Sequence, residues 1–361
     1  MRIAQVAPLY ERCPPRLYGG TERVVSYLTE ELVELGHDVT LFASGDSSTG
    51  ARLVPICQQA LRLDRSVTDP LAYHMIMLNR MAGLAGQFDI IHFHTDYLHF
   101  PLVERLGRPS VTTLHGRLDL PDLPAVYAEF ADVPLVSISD SQRQPLAWAN
   151  WCATVPHGLP RDLYVLGSGA AGYLAFIGRI SPEKRLDRAI VIAQRLGLPL
   201  RIAAKVDQVD RAYFEATIRP LLAAPGIEFL GEISDAQKGA FLGGAAALLF
   251  PIDWPEPFGL SMIEAMANGT PVVAYRCGAV PEVIDEGVTG FIVDDLEMAV
   301  AAVPRALKLP RTLVRRQFEG RFDARRMARD YLAVYEGLIA GGGACRREPR
   351  EKEVVRIGSV V

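Results

Sequence analysis

The chain has 361 residues, about twice the size of one typical domain, so two compact units with a cleft between them are expected. Hydrophobic residues make up 49% and charged residues 22%, a globular balance that excludes disorder as the default state. With 38 Lys and Arg against 42 Asp and Glu, the formal net charge of −4 excludes a general attraction to nucleic acid, so any phosphate binding must be local.

RIAQVA (2–7) reads as the first strand. Its apolar run ends at Glu11 and Arg12, too short for a signal h-region or a membrane span, so a cytoplasmic protein is expected. After a loop, TERVVSYLTEELVELG places Val24, Val25, Leu28, Leu32 and Leu35 on one helical face, with Gly36 as its stop. Strand patterns follow at 38–43, 89–94, 110–115, 134–139 and 152–157. The Gly- and Pro-rich stretch 158–172 reads as a linker. A second series runs through 173–179, 198–204, 227–232, 246–251, 271–275 and 289–294, with helical patterns between. This alternation signals βαβ units and parallel sheets. The expected fold is therefore α/β, two Rossmann-like doubly wound domains over 1–165 and 166–322. A closing helix at 323–340 packs back on the first domain, and a charged, Gly-rich tail at 341–361 is expected to be disordered. Five cysteines without a C-x-x-C pair give neither a zinc site nor a disulfide framework.

In open parallel sheets ligands bind beyond the carboxyl ends of the strands, which singles out four places. In FPIDWPEPFGLSMIEAMANGTPVV (250–273) a proline-stiffened loop carries Glu256, and a helix opening near Gly259 carries Glu264. The helix start offers amides to an anion, while carboxylates accept hydroxyls. Taken alone, the spacing reads first as a helix-initiating loop with two solvated glutamates. In FIGRISPEKRLDRAI (176–190), Arg179 and Lys184 form a compact cationic clamp or an ordinary surface pair, with Arg185 on the helix surface. In PRLYGGTERVV (15–25), Gly19 and Gly20 precede a helix, a phosphate-approach loop or a plain turn. In VTTLHGRLDLPD (111–122), His115 ends a strand near Asp119, and a lone histidine is first read as structural.

Two further patches carry polar residues. His92 and His94 share a strand face near Asp96 and His99, a spacing that fits no helix-based zinc motif, and His94 and Asp96 read as lining the acceptor side of a cleft. In SISDSQR (137–143), Ser139 and Arg143 are cleft candidates, and a helix cap at Asp140 or Ser141 is the stronger reading. The basic residues between Arg305 and Arg329 read as a solvated helical face, the alternative being peripheral contact with the anionic inner face of a membrane.

E-P-F-G-L-S-M-I-E followed by A-M-A-N-G-T-P-V-V-A resembles the E-x7-E signature of the family-4 (group 1) retaining glycosyltransferases, and G-R-x-x-x-x-K resembles that family's phosphate-binding pair. The resemblance implies a GT-B fold, with the donor on the second domain and the acceptor on the first. It implies that Glu256 contacts the sugar of a nucleotide-diphosphate sugar and Glu264 its ribose. The amides at Phe258, Gly259 and Leu260 would face sugar and phosphates, with Gly19 and Gly20 near the diphosphate and Glu22 on the acceptor side. Arg179 and Lys184 would carry the leaving diphosphate, and His115 would steady the reacting face with Asp119 as a weaker companion. No metal or cofactor is implied. The expected activity is sugar transfer to a hydroxyl acceptor of unknown class, a glycan, a lipid-linked group or a small molecule, with retention by front-side attack. A nucleotide-sugar epimerase and a non-catalytic two-domain sugar binder are the alternatives. A nicotinamide dehydrogenase is disfavoured, because no G-x-G-x-x-G follows the first strand of either series.

Overall fold

A computed structural model describes residues 1–17 and 19–341, so all but the first residue of the expected tail lies outside the described residues. Among them, strands β1 (Arg2–Val6), β2 (Asp38–Ala43), β3 (Arg52–Pro55), β4 (Ile90–Phe93), β5 (Ser110–Thr113), β6 (Leu135–Ser137) and β7 (Trp151–Thr154) form one sheet. Its order is β3-β2-β1-β4-β5-β6-β7. Strands β8 (Leu174–Arg179), β9 (Leu200–Lys205), β10 (Ile227–Gly231), β11 (Ala247–Phe250), β12 (Val272–Tyr275) and β13 (Gly290–Val293) form the other, ordered β10-β9-β8-β11-β12-β13. Every pairing is parallel, as between β1 and β2, β1 and β4, or β8 and β11. Ile90–Phe93 and Ala247–Phe250 are buried along their whole length, because helices cover both faces.

These are two doubly wound α/β domains. In each, the strand order reverses beside the first strand, at β1/β4 and at β8/β11, and a crevice opens at the carboxyl ends there. The helices that frame these crevices are α1 (Gly20–Glu34), α2 (Pro70–Leu84), α3 (Leu186–Leu196), α4 (Asp235–Gly244) and α5 (Leu260–Ala267), followed by α6 (Arg311–Arg321) and α7 (Ala324–Ala340). Edge strand β3 and helix α2 are absent from the expected series. In α2, Leu71 and Met75 point to solvent and blur the apolar stripe that would have marked it.

Helix α7 is capped by Asp323, whose side chain accepts from the Arg325 amide at 2.8 Å. It lies on the first sheet, burying Tyr331 and Tyr335 completely. The chain crosses between the domains twice, side by side, where Leu159 N–H donates to Phe322 O and Ala324 N–H to Leu159 O, both at 2.9 Å.

The basic stretch is a correction. Arg311 donates to the carbonyls of Gly167, Gly243, Ala245 and Asn268 and to Thr270 Oγ1. Arg315 donates to the carbonyls of Arg161, Tyr164 and Ala267, Arg321 to those of Glu282 and Val283, and Arg326 to those of Pro156 and His157. Planar guanidinium forks collect carbonyls that the loops and the C-terminus of α5 leave without helical partners. Lys308, Arg316, Arg325 and Arg329 do remain exposed. No described helix is long and apolar enough to cross a membrane.

Candidate active site

The two crevices face each other across a cleft of about 670 Å³, lined by both domains and large enough for a sizeable polar ligand. On the second-domain wall, β8 ends at Arg179 and a tight turn, Pro182–Lys184, delivers Lys184. Lys184 forms an ion pair with Glu256, whose Oε2 also accepts from Trp254 Nε1 at 3.0 Å. The Lys184 ammonium sits 5.0 Å from the Trp254 ring centre. Arg179 lies 3.6 Å from Asp210, 3.7 Å from Glu183 and 3.8 Å from Asp207. These distances are beyond hydrogen-bond length, so charge holds the guanidinium in place while its donors stay available. Arg185 adopts a left-handed conformation (φ 52) that turns it onto Asp187 at 2.8 Å and Asp253 at 2.9 Å. It serves as a strut before α3.

The Glu256 loop is clamped from behind. Ala279 N–H donates to Glu256 O at 2.9 Å, and Gly278 stands so close that a Cβ on it would lie 2.3 Å from both N and O of Glu256. Gly259 (φ 88) precedes α5, and Phe258, Gly259 and Leu260 all line the cleft. Across the cleft, a Cβ on Gly20 would meet Leu260 Cδ1 at 3.4 Å. The amino ends of α1 and α5 therefore converge, and both aim unpaired amides and positive dipole ends at one region. In α5, Glu264 is buried with its Oε1 accepting from Lys238 Nζ at 2.8 Å. Burial alone would raise its pKa, but Lys238 and then Arg23 outweigh that and hold the carboxyl below its ordinary value.

The first-domain wall is a chain of neutral histidines. His94 Nε2 bonds Gln5 Oε1 at 2.8 Å, and His94 Nδ1 bonds His115 Nε2 at 2.9 Å. Because Gln5 Oε1 only accepts, His94 carries its proton on Nε2, His115 donates from Nε2, and His115 Nδ1 is left as an acceptor. That Nδ1 is buried and has no hydrogen-bond partner among the described residues. Burial pushes His115 down to about 3, so the ring stays neutral. His157 stacks on it at 5.2 Å and meets Phe258 edge-on at 4.9 Å. His92 commits both nitrogens, to Tyr335 and Thr113, and His99 commits both to Thr95 and Thr112. No described group of His, Cys, Asp and Glu is arranged to hold a metal.

Most of the residues singled out from the sequence meet in this cleft: Gly19, Gly20, Glu22, His94, Asp96, His115, Arg179, Lys184, Glu256, Phe258, Gly259, Leu260 and Glu264. Glu22 is buried on the first turn of α1, accepts from the Glu11 amide at 3.2 Å, and is raised by burial to about 7. Asp119 is not among the lining residues, because its neighbour Arg117 binds it at 2.7 Å and holds it at the surface. Ser139 caps the helix at Asp140–Arg143, one residue earlier than expected, accepting from Gln142 N–H at 2.9 Å and donating to Pro257 O at 2.7 Å. Arg143 pairs with Asp140 away from the cleft. Sequence reasoning missed Lys238, whose capping-box helix gave no sign of a distant carboxylate partner, and His157, which passed as the end of a strand.

Residues 18–153 match the Glycosyltransferase Family 4 model and residues 169–321 the model described as Glycosyl transferases group 1. The chain belongs to the family-4, group 1 glycosyltransferases. The glycosyltransferase is 25% identical to an MMP alpha-(1->4)-mannosyltransferase of Mycolicibacterium hassiacum, over 91% of this chain and 97% of that one. It is 28% identical to a phosphatidyl-myo-inositol mannosyltransferase of Propionibacterium freudenreichii, over 87% and 88%. Among solved structures, a sucrose-phosphate synthase from Thermosynechococcus elongatus superposes with a TM-score of 0.77 at 18% identity, covering 94% of this chain and 99% of the other. Anabaena HepE in complex with UDP and glucose gives 0.71 at 16% identity, covering 94% and 100%. The fold of the glycosyltransferase is GT-B.

Proposed function

We propose that this glycosyltransferase moves a hexose from a nucleoside-diphosphate sugar to an acceptor hydroxyl with retention of configuration. The observation that carries the reading is convergence at one end of the cleft: Arg179, Lys184 and the amino ends of α1 and α5 meet where Glu256 and Glu264 flank them. The cations and amide dipoles suit a diphosphate, and the carboxylates suit hydroxyls. The UDP and glucose held by HepE support a donor of this class.

On donor binding, Lys184 leaves Glu256 for the diphosphate, and Glu256 takes sugar hydroxyls. The free acceptor nitrogen of His115 receives another hydroxyl of the sugar, and Glu264 holds the ribose. As the bond from the anomeric carbon to the leaving phosphate oxygen breaks, Arg179, Lys184 and the helix ends take up the growing charge, and no metal is needed for that task. The acceptor oxygen enters on the same face and passes its proton to the departing phosphate oxygen. Glu22, His94 and Asp96 are assigned to the acceptor side.

The test is a panel of UDP-, GDP- and ADP-hexoses, measuring binding and slow donor hydrolysis with native protein and Glu256→Gln. One donor base should bind below millimolar, and Glu256→Gln should lower turnover about 10²-fold or more. Absence of binding by every donor at millimolar concentration refutes the reading. Unchanged affinity in the Arg179→Ala, Lys184→Ala double variant refutes the clamp.

A further inference from the structure

Beneath the donor end of the cleft lies an ionic chain that crosses between the domains. Arg23, on the first turn of α1, forms an ion pair with Asp235, on the first turn of α4, and donates to Leu17 O at 2.7 Å. Asp235 also lies 3.4 Å from Lys238, and Lys238 donates to Glu264 at 2.8 Å. The side chains of Arg23 and Glu264 are 3% and 5% exposed and that of Lys238 is 14% exposed, so water screens these charges little. Arg23, Lys238 and Glu264 all line the cleft.

Taking several charges out of water is costly, and such a chain is justified for folding only weakly. Its geometry has a different use. Glu264 can rotate about its side-chain bonds, and a single ligand hydroxyl does not restrict it. A lysine held in place by Asp235 does, because it fixes one carboxylate oxygen and presents the other. Since Asp235 is itself held by Arg23 of the opposite domain, the same contact reports whether the domains are together.

We propose that Lys238 is a positioning residue for recognition of the donor ribose, orienting Glu264 and linking its grip to the interdomain Arg23–Asp235 contact. The inference rests on the assignment of Glu264 to the ribose.

The test uses whichever of UDP, GDP and ADP binds best, with its 2′-deoxy and 3′-deoxy analogues, measured calorimetrically on the full chain. Native protein should prefer the ribonucleotide over at least one analogue by about tenfold, and Glu264→Gln should abolish that preference. Lys238→Met should reduce the preference to less than threefold, Lys238→Arg should restore part of it, and Asp235→Asn should weaken it to a smaller degree. Each variant is checked for a native thermal transition, and Lys238→Gln, with the same expected loss and the same overturning result, replaces the Met variant should that fail to fold. A preference lost in Glu264→Gln but kept in Lys238→Met overturns the positioning role alone. A preference absent from native protein, or untouched by Glu264→Gln, overturns the ribose assignment and the inference with it.

Discussion

Gly278→Ala perturbs the back of the Glu256 loop from a position that does not itself line the cleft. Its φ of +56 is in the left-handed region, where a Cβ costs roughly 1–2 kcal/mol. The new Cβ would also stand 2.3 Å from two backbone atoms of Glu256. Normal contact is about 3.5 Å, so the loop must retreat by roughly 1 Å. Overpacking of that kind adds about 1–3 kcal/mol. A 1 Å misplacement of a reacting group costs on the order of 10² in rate. Gly287→Ala is the matched control: its φ is +73, and a Cβ there meets nothing within 4 Å. Urea unfolding should therefore show about 1–2 kcal/mol lost for Gly287→Ala and about 2–5 kcal/mol for Gly278→Ala. Donor hydrolysis should fall about 10²-fold in Gly278→Ala alone. Rates within threefold of each other in the two variants would show that the 277–279 turn does not position Glu256.

Arg311→Met removes five hydrogen bonds that tie the linker, α4 and the end of α5 together, and should cost about 3–5 kcal/mol in urea unfolding; a loss below 1 kcal/mol would put the arginine back among solvated surface groups. Burial raises the Glu22 carboxyl from 4.5 to about 7, so its contribution to stability is complete below pH 4.5 and is lost as pH rises through 7. Glu22→Gln should accordingly stabilise the protein by about 3 kcal/mol at pH 8 relative to its effect at pH 4, and an effect independent of pH contradicts the assignment. Glu282 accepts from the amides of Asp140 and Ser141, both at 2.7 Å, from the other domain. Glu282→Ala should enlarge the radius of gyration in small-angle scattering and weaken donor binding several-fold, whereas an unchanged radius would mean that this latch does not hold the domains together.

The legible parts of the site were those written contiguously. A strand, a loop and a helix start are neighbours in sequence, so Glu256, Gly259 and Glu264, or Arg179 and Lys184, announce themselves together. Partners that meet only through folding left no such trace. Lys238 reaches Glu264 from α4, and Arg23 reaches Asp235 from the other domain. Proximity in sequence also misled: Asp119 lies four residues after His115, yet its carboxylate is turned outward by Arg117. The fold was read from buried parallel strands, whose apolar runs are unmistakable. Edge strand β3 carries no fully buried residue and gave no comparable signal. Arginines that bind carbonyls look, in sequence, the same as arginines that bind water.

The return of α7 to the first sheet has a consequence for how the molecule is made. Gln5, His92 and Thr113, translated early, find their tyrosine partners only when Tyr331 and Tyr335 emerge. At ordinary elongation speeds the first sheet waits roughly ten to forty seconds after β7 is synthesised before α7 follows. During that interval one face of it lacks its cover, a window for chaperone capture. The same arrangement confines the covalent links between the domains to one seam, since the two chain crossings lie side by side at Leu159.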